Sequence, residues 1–110
     1  MVLAGVAQAV GGDVTEAELQ AGVERLLDEA GLLWHHCPRA YRCRGPAGFP
    51  DLLALGLGGL LVAELKGPDG ETSAAQDLWH WTAARAGLRP RLWRPADLNG
   101  RIATELDAIK

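Results

Sequence analysis

The 110-residue chain predicts an α/β domain, a mixed β-sheet flanked by helices, with elements in the order α-β-β-β-α-β-α. Three observations carry this reading. Two capping-box patterns, Thr15-Glu16-Ala17-Glu18 and Ser73-Ala74-Ala75-Gln76, each open a stretch of helical spacing. Two apolar runs of strand length flank Gly58-Gly59, a hairpin signal. A further short apolar run, Arg91-Leu92-Trp93-Arg94, follows the second helix and stops at Pro95.

Taken in order, residues 1–13 are small and apolar and read as an N-terminal arm, and residues 14–110 read as one domain. The first helix spans about residues 16–30. Leu19, Val23, Leu26, Leu27 and Ala30 recur along it, and Gly31 ends it. Its apolar face centres near Val23. Glu16 lies about 36° from that centre, whereas Glu18 points away and serves as a cap. A short strand, Leu32 to His35, leads into a Pro/Gly/Arg loop that reaches residue 50. The hairpin occupies 51–66, Gly67-Pro68-Asp69-Gly70 forms a turn, and the second helix ends at Gly87. Asp97 or Asn99 opens a last helix that carries Ile102, Leu106 and Ile109.

Composition is that of an ordinary globular protein, 48% hydrophobic and 23% charged. No apolar run approaches the roughly 20 residues of a membrane span, and the start lacks a basic region ahead of an apolar one. Both point to the cytoplasm. The net charge of -3 does not advertise a nucleic-acid partner, but its distribution is uneven. Residues 34–50 hold Arg39, Arg42 and Arg44 without an acid, and residues 78–96 hold Arg85, Arg89, Arg91 and Arg94 without an acid. Such strips suit phosphates despite a negative total. Cys37 and Cys43 lie in one loop beside His35 and His36. Their spacing is wide for a zinc site and the histidines are adjacent, so reduced thiols are the expectation. The four tryptophans, Trp34, Trp79, Trp81 and Trp93, read as core fillers rather than base-stacking platforms.

The chemistry concentrates at the open end of the hairpin. If Gly58-Gly59 form a two-residue turn, Leu57 pairs with Leu60 and Asp51 falls opposite Lys66. Side chains alternate faces, so Asp51, Glu64 and Lys66 share one. Two carboxylates suit a hard divalent cation, Mg²⁺ or Mn²⁺, and the lysine suits an anion held by it. Asp51 and Glu64 would be the ligands, joined by the carbonyl of Leu65 and by Glu16. Lys66 would orient water or stabilise developing charge. The alternative is a structural ion-pair network. His35 and His36 read as strand residues, whereas Arg39, Arg42 and Arg44 are better placed for phosphate contact.

These residues resemble the VRR-NUC (virus-type replication-repair nuclease) branch of the PD-(D/E)xK nuclease superfamily, in its small stand-alone phage-like form. The resemblance covers about residues 15–107. It runs through Thr15-Glu16, Gln20, Val23, His36 and Arg44 to Gly48-Phe49-Pro50-Asp51-Leu52. It continues with Ala63-Glu64-Leu65-Lys66, Gly70, Ser73, Gln76, Gly87, Trp93-Arg94-Pro95 and Asp97-Leu98. It implies a restriction-endonuclease-like fold, divalent-metal-dependent hydrolysis of DNA without an organic cofactor, and homodimers acting on branched DNA such as four-way junctions. It also implies Asp51 and Glu64 as metal ligands, Lys66 as the catalytic lysine, Glu16 as the acid of the first helix and Gln76 as the polar residue supporting the site. His36 and the loop arginines would contact DNA. The other expectation is a non-catalytic DNA-binding or assembly module that keeps the fold.

Overall fold

The computed structural model describes residues 14–37 and 44–110. The N-terminal arm, 1–13, and the loop segment with Arg39, Arg42 and Cys43 lie outside the described residues. Helix α1 (Glu16–Ala30) starts where its capping box places it: the Thr15 hydroxyl accepts from Glu18 N, and the Glu18 carboxylate accepts from Thr15 N at 3.2 Å. Leu19, Val23, Leu26 and Leu27 are buried along one face. Gly31 adopts φ 71°, a conformation that costs glycine least, and Leu32 N donates to Leu27 O at 3.2 Å to close the last turn. That bond occupies Leu32, so strand β1 (Leu33–His36) begins one residue later than the sequence suggests.

Strands β2 (Leu52–Gly56) and β3 (Gly59–Leu65) form the hairpin, and the four-stranded sheet has the order β1-β2-β3-β4. The pairs β1/β2 and β2/β3 are antiparallel, whereas β4 (Arg89–Trp93) runs parallel to β3. Helix α2 (Ala74–Arg85) provides the crossover that a parallel pair requires. The chain is therefore an α/β domain with a mixed sheet.

The hairpin register corrects one expectation. Gly56 pairs with Gly59 and Leu52 with Ala63, so the turn is Leu57-Gly58 rather than Gly58-Gly59. Extended by one residue, this sets Asp51 opposite Glu64 instead of Lys66. The cause is tertiary. Gly58 N donates to Ile109 O at 3.0 Å, and any side chain at Gly56 would collide with that carbonyl. The C-terminus thus grips the turn at a position the local pattern does not show. A shift of two residues preserves which face each side chain occupies, so Asp51, Glu64 and Lys66 still share one.

One face of the sheet carries the core. Leu52, Ala54, Leu61, Ala63, Leu65 and Trp93 are at most 1% exposed and pack against α1 and the C-terminal segment. That segment comprises a 3-10 turn (Pro95–Leu98) and helix α3 (Arg101–Asp107), with Ile102, Leu106 and Ile109 buried as expected. Its N-cap is Gly100 at φ 106°, not Asp97 or Asn99. Pro95 starts a separate short turn, and the Asp97 carboxylate is spent on that turn, accepting from Arg94 N at 2.7 Å.

Three tryptophans pack as the sequence suggests or bridge elements. Trp93 is fully buried and donates to Glu105 at 2.7 Å, and Trp34 packs against the core while donating to Asp28 at 2.9 Å. Trp79 is half-buried. Trp81 departs from the expectation: it is 60% exposed, with the Arg85 guanidinium 5.4 Å from its ring centre. Helix α2 buries only Ala83, so its outer face has nothing to pack against among the described residues.

Candidate active site

The second face of the sheet meets α2, and there the strand alternation brings Val62 and Glu64 outward from the core. Glu64 is 8% exposed, the only polar or charged residue among those buried in the described part of the chain. A lone carboxyl at such a position requires partners. Gln76 supplies one. Its side chain bridges two elements: Oε1 accepts from Ser73 N at 2.9 Å to cap α2, and Nε2 donates to Glu64 Oε2 at 2.6 Å. Because the Ser73 amide requires an acceptor, the Gln76 NH₂ must face Glu64. A capping box legible in the sequence is thus also a hinge pin of the site. Lys66 Nζ lies 3.7 Å from the same Oε2.

Glu64 Oε1 is buried without a hydrogen-bond partner. On that side stands Asp51, whose Oδ2 accepts from Leu65 N at 2.8 Å. The consequence is electrostatic. Burial, then the nearby Asp51 carboxylate, pushes the Glu64 carboxyl up to about 8; Lys66 opposes this, and the charge of Glu16 adds to it.

Asp51 is itself held in place. The His36 ring nitrogen Nδ1 is 2.9 Å from Asp51 O, and Cys37 N donates to the same carbonyl at 3.3 Å. The preceding turn is clamped to α2: Trp79 Nε1 donates to Ala47 O at 2.9 Å, and the Phe49 and Trp79 rings meet edge to face at 5.0 Å. Gly48, at φ 94°, lies so close to the Ala75 backbone that a Cβ would collide with it. Behind Lys66, Arg94 Nη1 donates to Gly67 O at 2.9 Å and Gly70 O at 2.7 Å, pinning the turn that carries the lysine.

The structure therefore gathers Asp51, Glu64, Lys66, Leu65 and Gln76. Glu16 acts on Glu64 through its charge from an exposed first helical turn. Among the described residues no three His, Cys, Asp or Glu side chains cluster closely enough to cage a metal. The donor set still fits a magnesium-like ion: two carboxylates, one with an orphaned buried oxygen, and a nearby backbone carbonyl. Such ions keep several waters and need only one or two protein carboxylates.

Several residues singled out in the sequence have partners within the protein. His36 is engaged with the Asp51 backbone. Of the second basic strip, Arg91 pairs with Glu105 at 3.1 Å, Arg94 holds the 67–70 turn, Arg89 Nη1 donates to Ala108 O at 3.4 Å and Arg85 lies over Trp81. Those side chains brace the fold. Arg44 is exposed. Cys37 is disulfide-bonded rather than reduced, and a disulfide sulfur is not the thiolate that zinc requires. The brace roles of Trp79 and Arg94 were missed because their partners are backbone carbonyls, which carry no sequence signal.

No protein-family model and no curated protein matches the chain. Among solved structures, a VRR_NUC domain protein shares the fold: 20% identity over 87% of this chain and 90% of that one, with a TM-score of 0.61. The chain thus shares with that protein the mixed four-stranded sheet flanked by helices that its sequence predicts. No helix among the described residues is long and apolar enough to cross a membrane.

Proposed function

We propose that the chain is a divalent-metal-dependent endonuclease that hydrolyses DNA phosphodiester bonds. The observation that carries this reading is Glu64: buried, held on one oxygen by Gln76, unpartnered on the other, and facing Asp51. Buried polar atoms in folded proteins nearly always have a partner, so an orphaned carboxylate oxygen points to a ligand.

Asp51, Glu64 and the Leu65 carbonyl would hold Mg²⁺ or Mn²⁺, with Glu16 adding negative potential. When bound, the ion lowers the pKa of a coordinated water and neutralises charge on the scissile phosphate. Gln76 keeps Glu64 aimed at the site, and the Leu65 amide fixes the Asp51 rotamer. Lys66, half-buried and tethered to Glu64, sits where it can orient the attacking water or stabilise negative charge developing on the phosphate. Arg44, with Arg39 and Arg42 of the same loop, would follow the DNA backbone, since phosphate contacts position a duplex without reading it.

Selectivity for branched DNA such as a four-way junction would need two active sites, hence a homodimer. Exposed leucines support self-association: Leu33 is 71% exposed, Leu55 42% and Leu57 fully so, all on or beside the β1–β2–β3 surface. The decisive experiment is cleavage of labelled four-way junction, flap, duplex and single-stranded DNA with Mg²⁺, Mn²⁺ or EDTA, with Asp51→Asn in parallel. Metal-dependent cutting that the substitution lowers at least about a hundredfold is expected. A folded protein that binds DNA and cuts nothing would instead be a non-catalytic module.

A further inference from the structure

Beside Glu64 the sheet and α2 enclose a cavity of about 160 Å³. Strand register builds its floor: Glu64 pairs with Leu92 and Val62 with Pro90, so all four present side chains toward α2. Gln76 and His80, one turn apart on that helix, line the opposite wall, and Pro50 closes the side next to Asp51. The walls are thus mainly apolar and flat, while the polar groups lie along the edges. The turn that brings Gly48 to the chamber's edge is clamped by Trp79 through Ala47 O and Phe49.

Size and charge narrow the occupant. A cavity of about 150 Å³ accommodates benzene. Drug-sized ligands need about 300 Å³ or more. One six-membered ring fits. Glu64 and Asp77 line the space, and Arg91, the cation that also borders it, is engaged by Glu105 at 3.1 Å, so nothing there favours a phosphate or another anion. A bare hydrocarbon would leave the His80 edge without a partner. A flat ring with hydrogen-bonding edges satisfies both walls and rim.

We propose that this cavity receives a single unpaired pyrimidine base from the strand whose phosphate lies at Asp51 and Glu64. The inference rests on the nuclease reading and deepens it, because it names the substrate class. A paired base must be unstacked and unpaired to enter such a pocket, at a cost that vanishes when it is already single. The preferred substrate is DNA with an unpaired pyrimidine adjoining the cut, as at a branch point, bulge or flap, and not continuous duplex. Val62, Pro90 and Leu92 supply the stacking surfaces, and His80 reads the edge of the ring.

The test compares duplexes carrying one bulged nucleotide: a pyrimidine, a purine or an abasic residue. Cleavage with Mg²⁺ by the wild type is expected to be about tenfold faster on the pyrimidine bulge than on the abasic one. Leu92→Trp, which fills the chamber, should make those two rates equal. His80→Ala, at an exposed position that cannot unfold the domain, should reduce the difference severalfold. Equal wild-type rates on pyrimidine and abasic bulges, or a difference that survives Leu92→Trp, would overturn the proposal. Fluorescence of a bulged pyrrolocytosine on binding needs no cleavage and separates the two readings. A change in its emission with the wild type that is lost in Leu92→Trp supports the base pocket even if no strand is cut. No change sinks the pocket even if the nuclease cuts.

Discussion

The two faces of the same four strands have opposite characters. On the α1/α3 side, Leu52, Ala54, Leu61, Ala63, Leu65 and Trp93 are sealed, and the lone acid that approaches, Glu105, is satisfied by Trp93, Arg101 and Arg91. Burial works against its ionisation, yet those donors outweigh it and hold Glu105 below its usual range. On the α2 side, Glu64 is buried with an orphaned oxygen and its carboxyl is pushed up to about 8, while Leu33 and Leu55 remain open to solvent. Two buried or half-buried glutamates, one sheet apart, thus titrate in opposite directions. The difference lies in what surrounds each: arginines and an indole N–H in one case, another carboxylate in the other. One face stores stability, and the other stores an unsatisfied site.

The sharpest way to break that contrast is to alter neighbouring residues of β3. Leu65→Ala should cost about 2–5 kcal/mol, as large-to-small changes in sealed cores do. Glu64→Gln should leave the fold intact or stabilise it in EDTA, because an uncharged amide can meet both Gln76 and Asp51, while metal-dependent cleavage disappears. Chemical denaturation of both variants is the check. If Glu64→Gln destabilises as much as Leu65→Ala, the site face is structural after all.

A second effect appears in the pH dependence. Folded Glu64 keeps its proton up to about pH 8, whereas the unfolded chain releases it near the ordinary value of 4.5. Between these values the folded state binds more protons, so this group's contribution to stability is full below 4.5 and is lost as pH rises through about 8. Mg²⁺ must displace that proton, so its affinity should rise toward pH 8 and then level off. Titration calorimetry in buffers of different ionisation enthalpy would reveal the released proton. An affinity flat from pH 5 to pH 8 would remove the coupling.

The smallest expected effect concerns the open part of the site face. Leu55→Lys should change the stability of a monomer by no more than about 0.5 kcal/mol, since the side chain is 42% exposed. It should nevertheless shift the molecular mass measured by light scattering from dimer to monomer. Unchanged mass would place self-association elsewhere.

Local signals reached far in this chain. Both capping boxes, the Gly31 stop, the element order and the common face of Asp51, Glu64 and Lys66 follow from patterns within a few residues, where dihedral preference and side-chain period dominate. The face assignment survived a wrong turn position because the register error was even. Other features were decided only in three dimensions. The turn moved to Leu57-Gly58 because the Ile109 carbonyl, far along the chain, occupies the space beside Gly56. Gln76 came to hold Glu64 because the crossover helix sets its cap beside β3. Trp79 and Arg94 became braces for the 47–49 and 67–70 turns through backbone carbonyls. The Glu64 proton, too, depends on burial and on the Asp51 carboxylate across the hairpin. Periodicity tells which way a side chain points, but only the packed fold sets what it meets, and the energy of a charge depends on its neighbours more than on its own identity.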